Sequence, residues 1–286
     1  MSILHVIILA VVQGLAELLP VSSSAHVIVA EKLMGMNPSA PQMTLLLVML
    51  HTGTMLAVIA YFWPRWRRTF FNSMPEFKRF ALALVIATFL TVIVGGGIIE
   101  FIEKVLMRHQ PHAWVEQLFS HLGLIAAALA VSGVFIIWAG LHERRRSKTA
   151  AAHELTPRQY GWIGAIQGLC VPFRGFSRSG ATISTALMLE VARPTAEDFS
   201  FALAVVLTPP AVAREVWRLY QAQHHRLAAV VPAAMPSILG MLFAFLAGLL
   251  ALKWLSGWLE KGRWHFFGIY CLFAAAVVGY LQYTRF

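Results

Sequence analysis

The sequence predicts an all-α polytopic membrane protein with six transmembrane helices and two re-entrant helical hairpins in an inverted-topology repeat. Three observations lead there. Hydrophobic residues fill 58% of the 286 positions and charged residues only 13%, with a mean hydropathy of +0.68, well beyond a soluble domain. The apolar runs reach about 20 residues, enough for a helix to cross a bilayer at 1.5 Å per residue, and they lack the alternation of a barrel strand. A polar pattern also occurs twice, as "QGLAELLPVSSSAH" from Gln13 and "QGLCVPFRGFSRSGAT" from Gln167, with a shared QGL, a Pro or Gly break and a Ser-rich turn.

The first element, 3–34, has a short apolar arm, a polar middle and a second arm too short to span, which reads as a re-entrant hairpin. It lacks the basic start of a signal peptide, and Gln13 and Glu17 interrupt it, so it reads as retained structure. Spans follow at 43–63, 80–102 and 119–141. A second hairpin is expected over 160–192, then spans at 198–218, 229–250 and 264–283, with Pro209 and Pro210 breaking or bending the first of these. The chain thus reads as one membrane domain, 1–286, made of two inverted repeats of about 1–141 and 142–286.

Charge sets the sides. Basic residues gather in short clusters between apolar runs, as "RWRR" from Arg65 and "ERRR" from Glu143. With loops 64–79, 142–159, 193–197 and 251–263 in the cytoplasm, fourteen basic residues lie inside against six outside. That orientation makes the first hairpin enter from outside and the second from inside. The same clustering explains the net charge of +10 as a topology signal and excludes nucleic acid as a partner. Aromatic residues from Tyr61 to Trp66 and from Trp254 to Trp264 read as interface belts. Cys170 and Cys271 show no metal or disulfide spacing.

Ionisable groups are costly in hydrocarbon, by about 2.5 kcal/mol or more at a helix centre, so they mark a wet or protein-lined cavity. Glu17, His26, Arg174 and Arg178 fall in this class. Gln13 and Glu17 are one helical turn apart and share a face. Pro20 ends that arm, and the hydroxyls of Ser22, Ser23 and Ser24 are expected to cap the next helix, whose free N–H groups favour an anion such as phosphate. Arg178, between Ser177 and Ser179, can fork onto phosphoryl oxygens, and Gly175 and Gly180 admit close backbone approach. In an inverted repeat the two tips meet, bringing Ser22 to His26 against Ser177 to Thr182. Either Ser23 attacks a phosphoryl group while His26 or Glu17 takes its proton, or His26 attacks with Glu17 orienting its ring. Gln167 and Thr182 read equally as packing groups or ligands, and His51 in "LHTGTM" as a cavity or packing residue. Glu100 and Glu103 read as solvated. His109, His112 and His121 form a loose group without a carboxylate at ligand spacing.

At these residues the sequence resembles the undecaprenyl-diphosphate phosphatase, or bacitracin-resistance, family. "QGLAELLPVSSSAH" resembles its E-G-x-x-E-F-L-P-V-S-S-T-G-H motif, and "RGFSRSGAT" from Arg174 resembles P-G-F-S-R-S-G-A-T. Further agreement lies at "HTGTMLAV" from His51 and "DFSFALAV" from Asp198, so the resemblance covers nearly the whole chain. It implies a bacterial inner-membrane hydrolase, its active site facing the periplasm, that removes the terminal phosphate of undecaprenyl diphosphate and returns the lipid carrier to cell-wall synthesis. The resemblance implies Glu17, Ser23, His26 and Arg178 as the catalytic residues and adds Ser22, Ser177 and Thr182; the reading of the residues themselves completes the substrate-binding set with Gln13, Ser24, Arg174, Ser179 and His51. Two departures stand out: Gln13 where the family has Glu, and Arg174 where it has Pro. The set assigns no metal ligand and calls for no certain cofactor; a divalent cation is the one candidate, and Gln13 removes a carboxylate that would assist it. The expected partners are a prenyl diphosphate lipid and the bilayer, with the oligomeric state left open. The rival reading is a transporter or flippase of phosphorylated prenyl lipid, since interrupted helices in inverted repeats are also typical of transporters.

Overall fold

The computed structural model describes residues 2–38, 40–106, 121–145, 154–222, 227–259 and 263–284; for residues 106, 222, 227–233 and 254–259 only the backbone is considered. His109 and His112 lie outside the described residues, as do Arg108, Arg226 and Arg285 among the basic residues expected outside. The elements are helices throughout: α1 (Ile3–Ala16), α2 (Ser23–Leu33), α3 (Pro41–Thr69), α4 (Met74–Phe101), α5 (Leu122–Arg145), α6 (Pro157–Cys170), α7 (Arg178–Met188), α8 (Arg193–Ala222), α9 (Leu227–Leu259) and α10 (Trp264–Tyr283), with one π turn, Ile102–Leu106, continuing α4.

Six of these helices are long and apolar enough to cross a membrane, in segments Pro41–Thr69, Met74–Val105, Leu122–Arg145, Arg193–Gln221, Ala234–Lys253 and Trp264–Tyr283. They coincide with the six spans read from hydropathy. Their outward faces are apolar: Val85, Phe89, Val131, Trp138 and Phe273 each expose more than half of their surface. Gln13, Glu17, Ser23, Glu31, Gln167 and Asp198 are buried instead. Polar groups inside and apolar groups outside is the reverse of a soluble protein, and with six spans it makes this a multi-pass membrane protein.

The other four helices are short and matched. α1 and α6 have 14 residues each, and α2 and α7 have 11. At 1.5 Å per residue none exceeds about 21 Å, short of a hydrocarbon core of about 30 Å. Each pair stops the same way. In α2 the Met36 N–H donates to Glu31 O and the Gly35 N–H to Lys32 O, both at 2.9 Å; in α7 the Val191 N–H donates to Ala186 O at 2.9 Å and the Glu190 N–H to Leu187 O at 3.1 Å. These are Schellman caps, with Gly35 at φ 73° and Glu190 at φ 66° in the left-handed position such a cap needs.

Packing puts the repeated letters to use. α1 lies on α9 and α6 lies on α4, while α3 packs on α8 and α9, and α5 on α10. Gly14 and Gly168, the glycines of the two QGL triplets, both stand where a short helix comes too close to its neighbour for a side chain. A Cβ on Gly14 would sit 2.9 Å from the Gly248 N, and one on Gly168 2.8 Å from the Thr91 O. α7 is held between α5, α6 and α8, with the Ser177 Oγ accepting the Gly180 N–H at 3.1 Å as its N-cap. α6 starts with a full capping box between Thr156 and Gln159.

Several sequence expectations give way to the structure. α8 stays helical past Pro209 and Pro210, so the prolines do not break it; neighbouring helices hold a span even where two N–H donors are lost. The expected loops shrink, and residues 193–197 belong to α8 itself. Ser22 holds the N-cap position of α2 without a side-chain cap, in a left-handed conformation that aims its hydroxyl elsewhere. Trp66 and Trp264 are buried rather than at an interface, donating from Nε1 to Asp198 Oδ1 (3.2 Å) and Ser184 Oγ (3.0 Å); an indole N–H inside the protein needs an acceptor there. The side chains of Trp254 and Trp258 lie outside the described residues. Glu100 is exposed and pairs with Lys104.

The close contacts at the two repeat glycines predict that Gly14→Val and Gly168→Val each lower stability by about 1–3 kcal/mol through overpacking. Gly97→Ala, at an open position in the interior of α4, is expected to stabilise by about 0.5–1 kcal/mol. Thermal unfolding in detergent measures both; equal midpoints for all three variants would contradict this packing.

Candidate active site

The polar turn between α1 and α2 is built by three backbone events. Glu17 closes α1, its N–H donating to Gln13 O at 2.9 Å. Pro20 sits at the centre of a tight turn in which the Val21 N–H donates to Leu19 O at 2.5 Å. Ser22 then takes φ 66°, ψ 80°, a conformation that costs a non-glycine residue about 1–2 kcal/mol. Ser23 starts α2. The strained residue therefore stands directly before the hydroxyl at the tip.

Glu17 is 5% exposed and gathers donors from four helices. Its Oε2 accepts from Gln13 Nε2 of α1 (2.8 Å), from the Ser23 hydroxyl of α2, and lies 3.2 Å from His51 Nε2 of α3. Its Oε1 accepts from Arg178 Nη2 of α7 at 2.6 Å. Ser23 and Arg178 are thus separated by the width of one carboxylate. Gln13, Ser23 and Arg178 all donate to Glu17, which is what an ionised acid in a dry site requires, and His51 Nε2 does so when its ring carries both protons.

His51 was open between cavity and packing roles on sequence, and the structure brings it to the cavity. Its Nδ1–H donates to Leu47 O at 2.8 Å, which leaves Nε2 facing both Glu17 and, at 3.5 Å, the Ser23 Oγ. That one nitrogen can hold a proton against Glu17 or accept one from Ser23. His26 is not brought to this group. Its Nδ1–H donates to Ser22 O at 2.8 Å, so in the neutral ring Nε2 accepts from the Tyr270 hydroxyl at 2.8 Å, and the two rings stack at 5.6 Å. His26 braces the strained turn from behind.

Arg178 is aimed by its own surroundings. Its Nη1 donates to Ser200 O at 3.3 Å, and the Ser200 hydroxyl meets Thr182 Oγ1 at 2.6 Å, so Thr182 supports the cation through Ser200. Ser177 is tied down as well, its N–H donating to Ser132 Oγ at 3.3 Å. Ser179 is buried on α7, and Ser24 Oγ lies 3.5 Å from Ser22 Oγ. Arg174 is near enough for its charge to act on His51 and Glu31. Gly175, at φ 107°, brings the turn so close to α5 that a Cβ would sit 2.6 Å from Ile125 O. Gln167, the repeat counterpart of Gln13, donates to Thr91 Oγ1 at 3.3 Å and serves packing between α6 and α4.

Ser200, Ser132 and Tyr270 are site residues that sequence reasoning missed; Ser200 alone carried a signal, inside "DFSFALAV". A second buried group was also unforeseen, where Asp198 pairs with Arg65 (2.9 Å) and accepts from Trp66, and Arg193 pairs with Glu143. Among the described residues no group of three or more His, Cys, Asp or Glu can hold a metal. Glu17 and His51 are two potential ligands, and the Glu17 oxygens are already engaged by Gln13, Ser23 and Arg178, so this donor set does not fit a protein-held cation.

The comparisons agree in direction. Residues 6–277 match the family described as bacitracin resistance protein BacA. The chain is 54% identical over 282 residues to undecaprenyl-diphosphatase 2 of Acinetobacter baylyi, covering 97% of both chains. It is 33% identical to undecaprenyl-diphosphatase 2 of Burkholderia ambifaria, over 96% of this chain and 95% of that one. A protein of Desulfatibacillum aliphaticivorans named undecaprenyl-diphosphatase is also 33% identical, over 96% and 97%.

The Gln13 amide beside Glu17 yields a prediction. Gln13→Glu sets a second carboxylate against Glu17 Oε2 in a site with few counter-charges, and is expected to lower the melting temperature in chelator and to recover it in added divalent cation. A midpoint that ignores both the substitution and the cation would contradict the contact between the Gln13 amide and Glu17.

Proposed function

The chain belongs to the bacitracin-resistance protein family, and we propose that it is an integral-membrane phosphatase converting undecaprenyl diphosphate and water to undecaprenyl phosphate and inorganic phosphate. The single observation that carries this reading is the one carboxylate, Glu17, held between a hydroxyl nucleophile, an imidazole and an arginine. Ser23 Oγ attacks the terminal phosphorus as its proton passes to Glu17 or His51, and the bond to the bridging oxygen breaks. Prenyl monophosphate leaves. Water, activated by the same pair, then hydrolyses the phosphoserine. Arg178 neutralises the charge that builds on the phosphoryl oxygens, and Arg174 adds a second cation for the other phosphate. His26 acts as a positioning residue for the Ser22 turn.

The site is set in two re-entrant hairpins, α1–α2 and α6–α7, within two halves of inverted topology, about 1–141 and 142–286, forming one membrane domain. Equal helix lengths, identical Schellman caps and the paired glycine contacts support this. Ser23 and Arg178 are each the first residue of the second helix of a pair, so the repeat delivers nucleophile and cation from equivalent places. The excess of basic residues on one side supports an inner-membrane location with the tips opening to the periplasm.

Phosphate release from undecaprenyl diphosphate by purified protein in detergent tests the proposal. Ser23→Ala and Glu17→Gln are expected to cut turnover by about a thousandfold or more, Arg178→Ala by about a hundredfold or more with weaker substrate binding, all with folded protein retained. His26→Ala is expected to lower turnover through the turn, and His26→Gln, which can still donate to Ser22 O, to recover part of it. Intact protein that moves lipid but releases no phosphate would replace this reading with the transporter one.

A further inference from the structure

The headgroup site leaves the prenyl tail unassigned, and an apolar groove runs along α5, the helix that anchors the head of α7. The groove, about 490 Å³, lies on the outer side of α5 between that helix, α6 and the α6–α7 turn, and is lined by Val131, Val134, Trp138, Ile166 and Phe176 among others. Val131 and Val134 are each 60% exposed and Trp138 59%, so the groove opens to the lipid.

We propose that this groove holds the isoprene units nearest the diphosphate and so aligns the terminal phosphorus on Ser23; the proposal rests on the phosphatase reading. Two connections tie the wall of the groove to the segment that carries Arg178. Phe176, at the mouth, is two residues from Arg178, and the intervening Ser177 is fixed to α5 by its N–H on Ser132 Oγ at 3.3 Å. Ser132 lies between Val131 and Val134 in sequence, but is buried while they face out, so one stretch of α5 anchors the head of α7 on one face and walls the groove on the other. On the opposite wall, the Ile166 carbonyl accepts from the Cys170 thiol at 3.2 Å. A chain leaving a phosphate bound at Arg178 meets Phe176 first and then this trough.

The lining is aliphatic and aromatic carbon, which suits a branched hydrocarbon and offers nothing to a polar ligand. The tail is already in hydrocarbon before it binds, so the groove gains no water-exclusion energy from it. Its contribution is orientation: a tail held along α5 restricts where the diphosphate points. The expected effect is therefore a moderate one on reaction with long chains and none on substrates too short to fill the groove.

Val131→Trp and Val134→Trp fill the groove from lipid-facing positions and leave the headgroup residues untouched. With undecaprenyl diphosphate they are expected to reduce kcat/KM about tenfold, while dimethylallyl diphosphate, with one isoprene unit, is hydrolysed as by the unsubstituted protein. Val92→Trp, equally exposed on α4 at 60%, should change neither. Unchanged kinetics with both substrates, or an equal loss with both, would overturn the groove assignment while leaving the phosphatase reading standing. Absence of hydrolysis by the unsubstituted protein would instead overturn that reading.

Discussion

A carboxylate buried in a protein built for hydrocarbon has to find its donors inside the chain, because neither lipid nor bulk water supplies them. Glu17 meets that constraint by drawing Gln13, Ser23, His51 and Arg178 from α1, α2, α3 and α7 onto its two oxygens. The charge thereby has an architectural role as well as a chemical one. Removing its cationic partner Arg178 would leave an uncompensated ion in a dry place, a loss that typically costs about 3–5 kcal/mol for a buried pair. The site is consequently assembled by the same interaction that places its reactive groups.

The re-entrant placement proposed for the two short helix pairs carries a second constraint, that backbone without helical partners survives at membrane depth only when shielded by protein. The polar turns at 17–22 and 171–177 meet it by packing between longer helices, and the glycines of the QGL triplets let the short helices come close enough for that. Positive-φ backbone, among the described residues, occurs at Ser22, Glu190, Gly35 and Gly175, carrying strain only at the two that are not glycine, and Ser22 borders the site directly. Ser22 is held by His26 from behind, and Gly175 lies so close to α5 that a side chain there would collide with the Ile125 carbonyl. Rigid neighbours on both sides keep a turn that would relax if exposed.

The spans were legible because hydropathy and length are properties of contiguous residues, and the short helices because Pro, Gly and Ser punctuate them. Ser23, Glu17 and Arg178 were legible as ionisable or hydroxyl groups where such groups are rare. The choice between imidazoles was not. His26 is three residues from Ser23 in sequence, yet its ring points to Tyr270, while His51 reaches the hydroxyl from 28 residues away. Sequence spacing constrains neighbours on one helix and says nothing about which face of a third helix arrives. Ser200 and Ser132 escaped for the same reason, and Trp66 and Trp264 were misassigned because an interfacial and a buried tryptophan are identical as letters. Pro209 and Pro210 do not end α8, because packing keeps the span helical where a local rule about lost hydrogen bonds would allow a break.

If Ser23, Glu17, His51 and Arg178 enclose one phosphoryl group, a mimic of its transition state should settle among them. A structure determined with orthovanadate tests this most directly. Vanadium is expected bonded to Ser23 Oγ, with Arg178 donating to its equatorial oxygens and Glu17 or His51 against the oxygen that represents attacking water. Vanadate seated away from Ser23, or bonded to His26, would contradict that arrangement.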